Sequence, residues 1–197
     1  MRQSFGARTP TSPNWWGSAE PHAGGCQYTA VTDLRWTYPY QEEARTGLNH
    51  LGVPLLRPTV AVRAGVDTHV YAALVDSGAD NVLAPEWLAR AAGVIPDAAR
   101  ELQVRIGGSA RTIRFQELEL ELLPPDALRQ GDWEGGGVRW EATVGFFMNW
   151  ADPPWLVILG QCGFFDKFTV TLSRFAQSVA IERQECFDTR FGIDYPS

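Results

Sequence analysis

The chain has 197 residues, of which 45% are hydrophobic and 20% charged, values typical of a globular protein with one well-packed domain. Its formal net charge is -6, so we expect no basic surface for phosphates and no nucleic-acid partner. No stretch reaches the roughly 18 apolar residues of a membrane span. The N-terminus also lacks a signal-peptide core, so we expect no membrane association and a cytoplasmic location.

The cysteines and histidines give no sign of a disulfide framework or a metal site. The cysteine count is odd and the spacing fits neither zinc binding nor a set of disulfides, and the histidines lack the spacing of metal ligands. We therefore expect reduced thiols, no metal and no cofactor. The residues concerned are Cys26, Cys162, Cys186, His22, His50 and His69.

The composition changes along the chain and predicts four parts. Residues 1–25 are rich in proline, glycine and serine and show no periodicity, which predicts a disordered segment. Residues 26–54 form an extension of uncertain structure, whose aromatic side chains either add an edge strand or wrap the core. Residues 55–183 have the patterns of one β domain, and residues 184–197 form a tail without a pattern.

The domain begins with a predicted hairpin and a short helix. Residues 59–63 and 69–75 predict two strands joined by a turn, and residues 76–79 end the second strand in a sharp turn of their own. Residues 85–92 predict a short helix with Pro85 at its first position, where a missing N–H costs nothing.

The remaining patterns predict further strands. A second hairpin, 102–106 and 112–115, turns at two glycines. Leu118, Leu120 and Leu122 then alternate with glutamates, which predicts one buried and one solvent-facing side. An alternating strand, a continuous apolar strand and a last hairpin follow at 138–146, 155–159 and 168–182. Many short strands with one or two short helices predict an all-β, barrel-like domain.

The turn after the first hairpin is the segment that carries chemistry. Three apolar residues deliver Asp76 into this turn, where a carboxylate is partly desolvated and lies beside backbone groups. Gly78 lets the backbone pass close to another chain or to a substrate, and Ser77 can donate a hydrogen bond that stiffens the turn. An acid held in this way suits general acid–base chemistry.

Acid–base hydrolysis of a peptide bond needs two such carboxylates side by side, sharing one proton. One activates water as a base, and the other polarises the peptide carbonyl as an acid. The chain has a single Asp-Ser/Thr-Gly, at Asp76, and the nearest second candidate, residues 188–190, lacks the glycine. The second carboxylate must then come from a second copy, because a two-fold axis brings each residue near its own mate. We expect activity at acidic pH, fading as the second carboxylate ionises.

Three stretches resemble the retropepsin-like (retroviral-type) aspartic proteases, over about residues 55–183. Residues 74–80 resemble the active-site loop of that family. Residues 157–160, with the turn that follows them, are similar to its late strand and short helix, and residues 159–168 are similar to its bacterial members. Residues 104–108 resemble the flap tip, a glycine hairpin that closes over substrate.

The resemblance implies a retropepsin-like acid protease barrel with one half-site per chain, acting as a homodimer on polypeptide substrates. Asp76 would be the catalytic residue, and Ser77 would form a hydrogen bond across the dimer axis. Gly78 would contact the substrate backbone and Asp80 a substrate main-chain group, while Gly160 would let the late strand pack behind the loop. The other implied site positions are Ala79 in the loop, Ile106, Gly107 and Gly108 in the flap, and Ile158, Leu159 and Gln161 in the late-strand motif.

One position departs from the family pattern. Many members carry arginine directly after the late glycine, where it pairs with the acid that matches Asp80, but here the position is Gln161. A neutral amide donates without charge assistance, which leaves Asp80 freer or paired with another cation. Two alternatives therefore stay open. One is a retropepsin-fold module that binds or dimerises without cleaving, and the other is an unrelated β domain that binds a ligand through its aromatic residues.

Overall fold

The structure, a computed structural model, describes residues 34–42, 52–53, 55–106, 109–131, 133–148 and 157–192. The predicted disordered segment 1–25 and the flap residues Gly107 and Gly108 lie outside these ranges. The described strands are β1 (Arg35–Pro39), β2 (Gln41–Glu42), β3 (Leu56–Arg57), β4 (Thr59–Ala64), β5 (Tyr71–Val75), β6 (Val82–Pro85), β7 (Glu101–Ile106), β8 (Ser109–Leu123), β9 (Val138–Met148), β10 (Val157–Leu159), β11 (Phe168–Ser173) and β12 (Ser178–Arg183). The described helices are α1 (Glu86–Ala91), α2 (Ala127–Gln130) and α3 (Gln184–Phe191).

Six strands close into a barrel in the order β4-β5-β10-β6-β9-β8, and β8 completes the circle by pairing with β4. Most neighbours are antiparallel, but β10 runs parallel to β5, and β6 runs parallel to β9. β7 pairs with the first part of β8 and so extends the sheet outward as a hairpin. The predicted all-β barrel with a few short helices is confirmed.

The barrel closes around an apolar core that each of its strands supplies. The inward side chains of β4 and β8, such as Val60, Val62 and Leu122, are fully buried, and so is Phe146 on β9. Burial of each such side chain contributes about 1.5–3 kcal/mol to folding. The alternation predicted from the sequence is therefore the alternation between the barrel interior and the outside.

A second, smaller sheet in the order β1-β12-β11 packs against the barrel. β1 pairs along the whole of β12, from Arg35 opposite Glu182 to Pro39 opposite Ser178. The edge-strand alternative for residues 26–54 is therefore what the described residues show. Tyr38 of β1 is fully buried, and its hydroxyl donates a hydrogen bond to the Leu123 carbonyl at 2.6 Å, which ties this sheet to the barrel.

The solvent-facing side predicted for β8 has one exception. Leu118, Leu120 and Leu122 are buried as expected, but Glu121 is buried too. The reason is a partner far away in sequence: Arg63 on β4 forms an ion pair with Glu121 at 2.9 Å. Glu121 also accepts the Gly137 N–H at 2.7 Å, so it fastens the end of the α2–β9 loop to the barrel.

The helices differ from the sequence-based expectation in three respects. Pro85 is the N-cap of α1, with φ -73 and ψ 152, so the first helical residue is Glu86. The short helix α2 interrupts the loop expected at 124–137. The tail expected to lack a pattern begins with α3, which ends at Gly192 with φ +62. Among the residues described, no helix has both the length and the apolar character needed to cross a membrane.

Candidate active site

The active-site loop, defined here as residues 76–80, leaves the barrel directly after β5. The backbone N–H of Asp76 donates to the Leu159 carbonyl of β10 at 3.0 Å, so the loop starts from a residue still anchored to the sheet. The Ala79 N–H then donates to the Asp76 carbonyl at 3.2 Å and closes a tight turn. This turn brings the half-buried Asp76 side chain back toward its own backbone.

The Asp76 carboxylate is held by the turn itself. Its Oδ1 accepts a hydrogen bond from the Gly78 N–H at 2.9 Å. A Cβ on Gly78 would lie only 3.3 Å from the same oxygen, so a side chain there would crowd the carboxylate. In the part of the chain that the structure describes, no other group donates to this carboxylate, which leaves Oδ2 available to water or to a second acid.

The late turn, defined as residues 160–162, packs against this loop from β10. β10 pairs in parallel with β5, with Ile158 opposite Leu74 and Leu159 opposite Val75, so the two strands end side by side. The Gly160 position has no room for a side chain. A Cβ there would lie 2.3 Å from the Asn81 carbonyl oxygen and 2.6 Å from that of Ala79. The structure thus brings together two motifs that are far apart in the chain.

Three hydrogen bonds fasten the late turn to the loop. The backbone N–H of Gln161 donates to the Ala79 carbonyl at 2.8 Å, and that of Cys162 donates to the Asp80 carbonyl at 2.9 Å. The side-chain Nε2 of Gln161 donates to the Ser77 carbonyl at 2.7 Å. Every carbonyl that these bonds engage belongs to the active-site loop, so its backbone is restrained along most of its length.

The side chain of Gln161 therefore does not reach the acid that arginine engages in the family. Asp80 is exposed, and no cation within the described ranges forms an ion pair with it. Of the two possibilities left open by the sequence, the free carboxylate is the one that the described residues show.

The predicted flap is a hairpin of β7 and β8. Their pairing runs from Glu101 opposite Arg114 to Ile106 opposite Ser109. The tip residues Gly107 and Gly108 fall outside the described residues, so the structure gives the arms of the hairpin and not its tip.

The sequence predicts only a reduced thiol at Cys162, but the structure shows that the backbone of Cys162 is part of the site. The described cysteines, Cys162 and Cys186, carry free thiols, and Cys162 is exposed beside the loop. Because Cys162 directly follows Gln161, its place in the sequence could have indicated that it belongs to the site. In the described residues, no group of three or more His, Cys, Asp or Glu side chains is arranged to hold a metal ion.

A second carboxylate, Asp67, lies before the other end of β5, and sequence reasoning missed its role. It accepts hydrogen bonds from the Tyr71 hydroxyl, from the His69 N–H at 3.0 Å and from His69 Nδ1 at 2.6 Å. Burial alone would raise the pKa of Asp67, but these hydrogen bonds and the His69 charge hold that pKa below its usual range. Burial also raises the pKa of Tyr71, and the bond to Asp67 raises it further.

The cluster of Asp67, His69 and Tyr71 could have been recognised in the sequence from the spacing of two between its members. Asp67, His69 and Tyr71 are alternate residues in an extended segment, and alternate side chains share one side.

No family model and no curated protein matches the chain. Two similar solved structures are a retroviral protease-like domain and a retropepsin-like aspartic protease. The retroviral protease-like domain of Ddi1 from Leishmania major is 17% identical with a TM-score of 0.33, covering 53% of this chain and 71% of that one. A retropepsin-like aspartic protease from Rickettsia conorii is 11% identical with a TM-score of 0.39, covering 79% of this chain and 98% of that one. At these scores the likeness supports no conclusion about activity, which depends on the geometry of the site.

Proposed function

We propose that this protein is an aspartic endopeptidase of the retropepsin-like type, whose active site is formed by Asp76 from each of two copies. The observation that carries the proposal is the setting of Asp76. A buried strand delivers this acid into a tight turn, the turn holds one carboxylate oxygen, and the other oxygen has no donor among the residues that the structure describes. The late turn restrains the loop from behind, as a site needs if it is to position a reacting water.

The chemistry requires no group beyond the two carboxylates and water. Two like charges about 3 Å apart cannot both ionise, so the pair shares one proton and titrates as a unit. The ionised acid takes a proton from water, whose oxygen attacks the peptide carbonyl carbon, while the protonated acid donates to the carbonyl oxygen. The tetrahedral intermediate then collapses: one of its hydroxyl groups gives a proton to the acid that is now ionised, the C–N bond breaks, and the leaving nitrogen takes up the proton of the other acid.

No second Asp-Ser/Thr-Gly turn is present in the sequence to supply the other carboxylate. Of the two Asp-Thr pairs, the one at Asp188 lies in helix α3, and the one at Asp67 precedes β5 and has both carboxylate oxygens engaged. Asp188 Oδ1 also accepts a hydrogen bond from the Gln184 side chain at 2.9 Å. A homodimer with Asp76 near its two-fold axis supplies the pair, because the axis brings each loop to its own mate. Ser77 would then form a hydrogen bond between the two loops.

The substrate class that suits this arrangement is an extended polypeptide. A peptide held by strand pairing exposes its carbonyl groups at regular intervals along the floor of the site. Ile106, Gly107 and Gly108 of the flap would cover it, and Gly78 and Asp80 would contact its main chain. The strand pairing in this proposal depends on backbone groups, so the substrate need only be unfolded to enter.

The test is hydrolysis of an unfolded protein across pH by the wild type and by Asp76→Asn, each at two protein concentrations. The proposal predicts cleavage by the wild type at acidic pH, an inactive variant, and a specific activity that rises with protein concentration. If both proteins are folded and dimeric and neither cleaves, the retropepsin-fold binding module becomes the better account. A flat pH profile through neutrality would count against a shared proton.

A further inference from the structure

The Ser77–Gly78 peptide group lies between the Gln161 side chain and the Asp76 carboxylate. Its carbonyl oxygen accepts the hydrogen bond from Gln161 Nε2 at 2.7 Å. Its N–H, which belongs to Gly78, donates to Asp76 Oδ1 at 2.9 Å. The two bonds therefore meet on a single peptide group, one on each side of it.

A peptide group is planar, so its carbonyl oxygen and its N–H turn together. Fixing the Ser77 carbonyl therefore fixes the direction in which the Gly78 N–H points. The other bonds from the late turn act on the carbonyls of Ala79 and Asp80, farther along the loop. In the described residues, Gln161 Nε2 is the one donor that reaches the Ser77 carbonyl, so it is the contact from outside the loop that acts directly on this peptide group.

The two hydrogen bonds also strengthen each other. A donor on the carbonyl oxygen draws electron density toward that oxygen and makes the N–H of the same peptide a better donor. In such chains each bond is strengthened by about 10–30%. The Gly78 N–H in turn donates to Asp76 Oδ1. A donor at position 161 thus strengthens the hydrogen bond that orients the Asp76 carboxylate.

We propose that Gln161 is a positioning residue for Asp76, which acts through the Ser77–Gly78 peptide group. As a role in catalysis, this rests on the proposed function. Arginine carries five N–H donors, enough for both the acid at Asp80 and the Ser77 carbonyl, whereas the neutral amide of Gln161 engages the loop backbone alone. Gln161 is exposed and contributes little apolar burial, so its effect is expected on the site more than on folding.

The test compares Gln161→Leu, which removes the donor, with Gln161→Arg, which keeps a donor that can reach the same carbonyl. We expect Gln161→Leu to lower kcat about tenfold with little change in KM, because a misplaced acid weakens the chemical step. Gln161→Arg should restore most of kcat.

Two controls separate this role from a general loss of structure. Gln41 donates in the same way to a backbone carbonyl, that of Pro39 at 3.2 Å, and has no described hydrogen bond to residues 76–80 or 160–162, so Gln41→Leu should leave kcat unchanged. Gln161→Met keeps the length of the side chain and cannot donate a hydrogen bond at any pH. It should behave like Gln161→Leu, and it decides the question should Gln161→Leu fail to fold.

An NMR comparison separates a failure of this inference from a failure of the proposed function. The chemical shift of the Gly78 amide proton and its temperature dependence are measured in the wild type and in Gln161→Leu. A weaker Gly78 hydrogen bond in the variant would support the inference, even if no chain cleaves a peptide. Identical Gly78 amide signals and identical kcat in folded variants would overturn the inference while leaving the protease proposal standing.

Discussion

Strand β5 has an acid beside each of its ends, and the surroundings of the two acids differ. Asp67, before the strand, accepts hydrogen bonds from Tyr71 and from both the backbone and the ring of His69, and its side chain is 7% exposed. Asp76, directly after the strand, accepts one hydrogen bond in the described structure, from the Gly78 N–H. The same strand thus presents one carboxylate with its partners supplied and one with an oxygen left open.

The difference indicates which acid serves the fold and which serves chemistry. A carboxylate whose oxygens all have donors stabilises the ionised form and fastens the turn around it. A carboxylate with an open oxygen gains little for stability, but it can exchange a proton with water or with a second acid. The loop at Asp76 is instead held through its backbone, by the late turn. The predictions below test this division.

The largest effect is expected on peptide hydrolysis, when Asp76 and Asp67 are each replaced by asparagine and the two variants are compared. Asp76→Asn should reduce peptide hydrolysis by about 10³-fold or more while changing the free energy of unfolding by no more than about 0.5 kcal/mol. Asp67→Asn should instead lower the free energy of unfolding and leave the activity of each folded molecule unchanged. Hydrolysis rates and urea unfolding of both variants measure this. Equal losses of activity in the two variants would contradict the proposal that Asp67 serves the fold and Asp76 the chemistry.

A large loss of stability is expected from crowding the backbone contact behind Asp76. A Cβ at Gly160 would meet two carbonyl oxygens of fixed backbone, so Gly160→Ala must displace the loop and should cost about 3 kcal/mol. Gly136→Ala is the matched control, because a Cβ there meets nothing within 4 Å. Thermal unfolding compares the two variants. If Gly160→Ala unfolds like the control, the late turn does not brace the loop.

A smaller and pH-dependent loss of folding stability is expected when Asp67 is replaced. Its pKa in the folded chain lies below the usual 3.8, so folding favours the ionised form. The stability this provides is complete above the usual value and is lost as the pH falls through the folded pKa. Asp67→Asn should lower stability by about 2 kcal/mol at neutral pH, with the gap to the wild type closing in strong acid. A gap that stays constant with pH would show that the charge is not involved.

The smallest effect is expected from removing one donor to Asp67. Tyr71→Phe keeps the ring against Trp87, at 5.9 Å between ring centroids, and removes the hydroxyl that donates to Asp67. We expect a loss of about 1 kcal/mol at neutral pH, without a change in hydrolysis by the folded protein. Urea unfolding at neutral pH measures it. No loss at all would mean that His69 alone satisfies this carboxylate.

The fold could be predicted from the sequence where neighbours in the chain decide the outcome. The hairpins of β4 with β5 and of β11 with β12 follow from local alternation and turn residues. Distant pairings could not be predicted in this way. Glu121 has the same place in the alternation as Glu119, and only the meeting of β4 with β8 brings Arg63 to it. Helix α3 has no apolar stripe in its sequence, so periodicity could not indicate it.

The candidate site shows the same limit. Asp76 and its turn were visible because an apolar run ends there in Asp-Ser-Gly. The partner of the Gln161 amide was not, since Ser77 and Gln161 are 84 positions apart and meet only through the parallel pairing of β10 with β5. Nor could the sequence alone indicate that Asp80 has no ion-pair partner among the described residues.

The most direct test of the central claim is a subunit-mixing experiment with the wild type and Asp76→Asn. The two chains are unfolded in urea in equal amounts, refolded together and assayed at a concentration at which the wild type is fully active. If each active site needs Asp76 from both copies, only dimers of two wild-type chains cleave, and activity falls to about a quarter of that of the same total amount of wild type. If it falls only to about half, each chain acts alone, and the shared pair of Asp76 carboxylates is contradicted.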